Sequence, residues 1–239
     1  MTTAATGTEV LAADAHLYLL PERSVDGFAE LHGGTGLLTR AERERMDRQR
    51  TAGARRRYLG ARLLSRHALS DRDGRPVGEW RFAVAASGRP EAEPDGHALR
   101  FNLSHTEGLL ACLVTEGRTC GVDVEATPAR PDAVTHLPRW FAPAERAALA
   151  GAADRAAAVA AYWVLKEAYL KALGTGLRRE LDGFAVSAPW QPPIRLHDPL
   201  QPPDSDWKFD LLHPAPGYVL ATAVADGTAG RLHQTWITP

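Results

Sequence analysis

Cysteine is almost missing from this chain: 239 residues contain two, Cys112 and Cys120. That is too few for a disulfide framework, and no second pair stands at zinc-site spacing. Both lie in apolar, strand-like runs and are expected as small core residues in a reducing compartment. A long hydrophobic run is missing too; none approaches the ~20 residues that cross a bilayer. The opening stretch "MTTAATGTEVLAADAHLYLL" has no basic segment followed by an apolar one, as a secretory signal would. A cytoplasmic protein that makes no use of a membrane is expected. Net charge is also nearly absent, 28 basic against 29 acidic residues for −1, which argues against a chain built to bind nucleic acid along its length. What remains, 44% hydrophobic and 24% charged, is the profile of a globular protein with enough chain for one large core or two small ones.

The charge that is present is uneven. Arginine crowds residues 40–66, at 43, 45, 48, 50, 55, 56, 57 and 62, while acids gather at 91–95 and at 123–125. The arginine-rich stretch 37–70 reads as helix. Thr39 caps it, Leu59, Leu63, Leu64 and Ala68 give it an apolar face, and Gly53 is a point where it would divide in two. "AHLYLL" (15–20) and "WRFAVAASGRP" (80–90) read as strands, the second running into a loop. Residues 100–125 read as two strands joined at Glu116–Gly117. Beyond them come a short helix at 143–151, a long one at 154–174 ended by Gly174, and a strand at 183–188. A proline-rich loop at 189–206 leads to strands at 207–212, 217–225 and 232–238. There is no alternation of strand and helix of the kind that builds a parallel sheet. The class expected is α+β, with one subdomain over 1–118 and another over 119–239.

Two stretches carry candidate chemistry. In "GVDVE" (121–125), Val122 and Val124 alternate with Asp123 and Glu125, so both carboxylates share one side of a strand. Like charges so placed repel. Standing alone, the pair reads as a solvated strand face. In "WVLKEAYLKALGTGL" (163–177), Glu167 and Lys171 are one helical turn apart, and standing alone they read as a surface ion pair. If Asp123, Glu125 and Glu167 met, they would suit a hard cation such as Mg²⁺, and Lys171 beside them would suit a phosphate. The dense arginines would likewise suit an anion, whether phosphate or nucleic acid.

"SGRP" (87–90), "FNLSH" (101–105), "GVDVE" and "WVLKEAYLKALGTGL", in this order and spacing, resemble the 4′-phosphopantetheinyl transferase superfamily. The closer likeness is to the monomeric type that activates surfactin synthetase. The resemblance implies a pseudo-twofold pair of α+β subdomains with coenzyme A in the cleft between them. It implies transfer of the phosphopantetheine arm to a serine of an apo acyl or peptidyl carrier protein, with 3′,5′-ADP released. Asp123, Glu125 and Glu167 match the family's Mg²⁺-binding acids, with Mn²⁺ as an alternative ion. Glu167 and Lys171 match the catalytic pair, Glu167 being the candidate base. Lys171 and Lys166 count among the coenzyme A contacts. Ser104, His105 and Arg89 match residues of the 3′-phosphate pocket, and Arg45, Arg48 and Arg56 are carried over as phosphate contacts of the basic helix. Where relatives often have phenylalanine after those arginines, this chain has Gln49 and Thr51. The stretch "RWFAPAERAAL" (139–149) matches the region that receives the carrier, with Arg139, Trp140 and Phe141 as either a docking patch or core. The rival expectations are a degenerate relative that only binds coenzyme A or carrier, and a nucleic-acid binder using the arginine-rich helix.

Overall fold

A computed structural model describes residues 14–84, 90–93, 98–226 and 230–238. Arg89, with the "SGR" of its motif, lies outside the described residues. In chain order the elements are β1 (Ala15–Pro21), α1 (Val25–Leu31), α2 (Arg40–Asp47), α3 (Ala52–Asp73), β2 (Arg81–Val84) and β3 (Pro90–Glu93). They continue as β4 (Leu99–Thr106), β5 (Leu109–Glu116), β6 (Cys120–Ala126), α4 (Pro131–His136), α5 (Pro143–Ala150) and α6 (Arg155–Leu173). The last are β7 (Ala185–Val186), β8 (Leu196–His197), β9 (Trp207–Leu212), β10 (Tyr218–Ala225) and β11 (Leu232–Trp236). The class is α+β, as expected.

Two small sheets lie back to back, each with a long helix on its outer face. One sheet runs β11-β1-β5-β4 and the other β6-β10-β9. Alternation along each strand sorts the side chains between layers. In β1, Tyr18 and Leu20 pack toward α3 with Leu63, Leu64, Leu110 and Val114. The intervening Leu17 and Leu19 pack between the sheets against Val122, Val124 and Leu220. On the far side, α6 lays Val164, Leu165 and Ala168 on Val219, Ala221 and Ala223 of β10. The layers are therefore helix, sheet, sheet, helix, and both cysteines are buried in them. No helix among the described residues is long and apolar enough to cross a membrane.

Three local departures from the sequence reading have physical causes. The arginine-rich helix breaks at Arg48–Thr51 and not at Gly53, because the two threonines each begin a helix. Thr39 accepts from the Glu42 amide, and Glu42 bonds back to the Thr39 amide; Thr51 accepts from the Ala54 amide. The 100–125 stretch is three strands, because β5 is buried on both faces and shows no alternation to mark its start. The hidden turn is at Gly108, whose φ of 90° suits a residue without Cβ. The last strand, expected with the second half, pairs in parallel with β1. It is anchored there by bonds from the Arg231 amide and the His233 ring to the Asp14 carboxylate, and by Ile237 entering the first core.

Candidate active site

The motif strand β6 takes its register from its antiparallel ladder with β10, and β4 holds its other edge. β4 does not pair with β6 through backbone; side chains do it instead. Asn102 Oδ1 accepts from the Val122 amide at 3.0 Å, and Ser104 Oγ accepts from the Val124 amide at 3.3 Å. These bonds join the halves where the cleft opens. On the other side, Gly121 lets α6 lie directly on β6: a Cβ at 121 would stand 2.0 Å from the Ala168 carbonyl oxygen. Ala168 sits between Glu167 and Lys171, so this approach puts both beside Asp123.

The result is a cavity of about 530 Å³ between the halves. Ser104, His105, Asp123, Glu125, Glu167 and Lys171 all line it. Lys171 Nζ lies 2.6 Å from Asp123 Oδ1 and donates to Ser104 Oγ at 2.9 Å, while Ser104 donates to the same Asp123 oxygen at 2.8 Å. Thr106 and the Trp163 indole each donate to Glu125. Asp123 is 4% exposed, so the acids face a lined interior and not bulk water as an isolated strand would have them. Burial first, and then the charge of Asp123, raises Glu125 above its ordinary value. Burial and then Asp123 also raise Glu167, to about 6, against the lowering pull of Lys171. Burial, with the positive charges of Lys171, Arg57 and Arg62, lowers His105.

Among the described residues, no three acidic, histidine or cysteine side chains are drawn together tightly enough to hold a metal ion as they stand. The chemistry of the donors nevertheless fits one. Asp123 Oδ2 and Glu167 Oε1 are buried with no hydrogen-bond partner, and a buried carboxylate oxygen left so is costly. Hard carboxylate oxygens of this kind are the ligands that Mg²⁺ takes.

Residues 119–223 match the family model of the 4′-phosphopantetheinyl transferase superfamily. The chain is 29% identical over 221 residues to the 4′-phosphopantetheinyl transferase HetI of Nostoc sp., covering 90% of each. It is 31% identical over 134 residues to the 4′-phosphopantetheinyl transferase of Bacillus subtilis, covering 54% of this chain and 57% of that one. It is 32% identical over 176 residues to the L-aminoadipate-semialdehyde dehydrogenase-phosphopantetheinyl transferase of Eremothecium gossypii, covering 68% of this chain and 62% of the relative. Over residues 119–223 by the family model, and over most of its length by the Nostoc relative, the chain is similar to the 4′-phosphopantetheinyl transferase superfamily.

Not every residue carried over from the superfamily reaches the cavity. Lys166 does not: it is fully buried on the opposite face of α6, with its ammonium on both Glu145 oxygens at 2.8 Å and on the Phe184 carbonyl. It ties α6 to α5 and β7. Arg45 on α2 and Arg48 just beyond its end are exposed, outside the cavity's described lining, and Arg56 turns to Asp26 at 3.4 Å. The pair Trp140 and Phe141 divides: Phe141 is core, while Trp140 is 58% exposed beside exposed Arg139. Sequence reasoning passed over two lining residues, Tyr58 and Arg62 of α3. Their signal was spacing: 58, 61, 62 and 65 share a helical face, and at 62 a charge sits amid core positions.

Proposed function

We propose that this chain transfers the 4′-phosphopantetheine arm of coenzyme A to a serine of an apo carrier protein, with 3′,5′-ADP as the leaving group. The observation that carries this reading is the convergence of Ser104, Asp123, Glu125, Glu167 and Lys171, from three elements, on one cavity between the halves. Phosphoryl transfer asks for charge neutralisation and in-line placement more than for a covalent intermediate. Lys171, held by Ser104 and Asp123, presents positive charge to the pyrophosphate. Glu167 takes the proton of the carrier serine, directly or through a water. The serine oxygen then bonds to the β-phosphorus as the bond to the ADP oxygen breaks. A hard divalent cation held by Asp123, Glu125 and Glu167 would, when bound, neutralise pyrophosphate charge there.

The carrier would approach beside Trp140. Leu137, Trp140, Arg179 and Leu181 line a second cavity of about 460 Å³, and Trp163 is a wall of both cavities. Arg139 stands beside it, suited to the acidic recognition helix of a carrier. An Arg139→Glu variant is expected to raise the KM for carrier severalfold with coenzyme A affinity unchanged; equal KM values would remove Arg139 from the interface.

The arginine-rich segment does not favour the nucleic-acid reading. Arg40, Arg56, Arg57 and Arg66 are each matched by a carboxylate, of Glu44, Asp26, Glu22 and Glu42. Intact-protein mass spectrometry with coenzyme A, Mg²⁺ and several apo carriers tests the proposal. A carrier gaining one phosphopantetheine, and none with EDTA, is expected. Coenzyme A binding with no transfer to any carrier would favour the degenerate binder.

A further inference from the structure

Glu125 stands where β6 leaves the core: Val124 before it is buried and Ala126 after it is exposed. A glutamate so placed is long and rotatable, and the freedom it loses on taking a ligand opposes binding unless it is settled beforehand. Two donors settle it, the Trp163 indole from α6 and the Thr106 hydroxyl from β4. Thr106 reaches it from the other half of the molecule, donating to Glu125 Oε2 at 3.3 Å.

Thr106 is itself held by more than its strand. It ends β4 and pairs with Leu109 across the Glu107–Gly108 turn. Each half grips that turn. From the first half, the Glu22 carboxylate accepts from the Gly108 amide at 2.8 Å, and the Glu22 amide donates to the Gly108 carbonyl at 2.9 Å. Glu22 is buried there and bridged to Arg57 at 3.0 Å. From the second half, the Tyr218 hydroxyl donates to the Glu107 carbonyl at 3.1 Å. The fit is close, since a Cβ on Gly108 would stand 2.0 Å from that hydroxyl. Tyr218 opens β10 opposite Ala126, the residue after Glu125. A two-residue hairpin closes without such help. What the added bonds fix is the place of Thr106 relative to Glu125.

We propose that Thr106 is a positioning residue, its hydroxyl aiming the Glu125 carboxylate at the divalent cation while the brace of Glu22, Gly108 and Tyr218 keeps it in range; the inference rests on the cation reading above. An ionised carboxylate has about four lone-pair sites, so accepting from Thr106 leaves room for an ion. Donors of this kind fix the orientation of a ligating carboxylate, and losing one costs about 10- to 100-fold in metal affinity.

The test is titration of the full chain with Mn²⁺ in the presence of coenzyme A, the free ion being read by electron paramagnetic resonance. The proteins are wild type, Thr106→Val, Thr106→Ser and Tyr218→Phe. Thr106→Val keeps the shape without the hydroxyl and should bind Mn²⁺ about tenfold more weakly. Thr106→Ser keeps the hydroxyl and should bind as wild type does. Tyr218→Phe removes one bond of the brace and should fall between Thr106→Val and wild type. Coenzyme A affinity in EDTA should not change in Thr106→Val, a split that a merely structural residue would not give. If Thr106→Val fails to fold, Tyr218→Phe decides by the same titration. Wild-type Mn²⁺ affinity in the variant that decides, or a Ser variant as weak as the Val one, would overturn the assignment. Wild type that takes up no Mn²⁺ would instead overturn the cation reading, and this role with it.

Discussion

A Gly121→Ala variant should lose more than about 4 kcal/mol of stability, the range of the most severe single substitutions, and with it all transfer activity. The reason is one methyl group with nowhere to go. Its carbon would lie 2.0 Å from the Ala168 carbonyl oxygen and 2.6 Å from the Ala172 amide nitrogen, both backbone atoms of α6. A rotamer change cannot relieve a backbone clash. Strand and helix must part until that gap approaches the 3.4 Å at which ordinary contact begins. Parting them loosens the packing of Ala168 and Val164 on β10 and stretches the 2.6 Å contact of Lys171 with Asp123. Gly183→Ala is the control: nothing lies within 4 Å of a Cβ there, and the change should stay within about 0.5 kcal/mol. Urea melts of the two variants separate the cases. A Gly121→Ala protein that melts like wild type would mean that β6 and α6 can separate freely, and that the site does not depend on their closeness.

The same contact explains which parts of the molecule were legible in sequence. The two motifs were readable because each encodes a local necessity. Gly121 and Ala168 permit close approach, the valines fill the space between the sheets, and the polar residues left over face one another. The helix caps at Thr39 and Gly174 were equally local. What failed was nonlocal. Lys166 stands beside Glu167 in sequence, but on a helix adjacent residues point about 100° apart. It was the buried Glu145, from another helix, that determined where its ammonium went. Arg45, Arg48 and Arg56 were carried over from the superfamily's basic helix, whereas the position that reaches the cavity follows from how α3 is rolled on its sheet by Leu63, Leu64 and Ala68. The parallel pairing of β11 with β1 joins chain ends more than two hundred residues apart, and no short-range pattern announces it.

For Glu167→Gln, activity and stability should move in opposite directions. Glutamine fills the same volume on α6, so the close approach at Gly121 survives. The buried carboxylate is a burden on the fold: burial and the charges of Asp123 and Glu125 raise its pKa to about 6. A carboxyl whose folded pKa lies above its unfolded value favours folding when protonated and opposes it when ionised. Above pH 6 the ionised form predominates in both states, so removing its charge should leave the melting temperature equal or higher, measured without added divalent metal. Turnover should fall by about 10²- to 10⁴-fold, the usual contribution of a positioned proton acceptor. Coenzyme A should still bind measurably, because Lys171 and Ser104 remain. Thermal melts, calorimetry and a carrier-loading time course on one preparation give all three readings. A variant that loads carrier at the wild-type rate would free Glu167 from any part in the proton transfer. One that lost turnover only because it had unfolded would show a depressed melting temperature, the opposite of what its buried charge predicts. A residue that burdens the fold and is indispensable to turnover is kept for its chemistry.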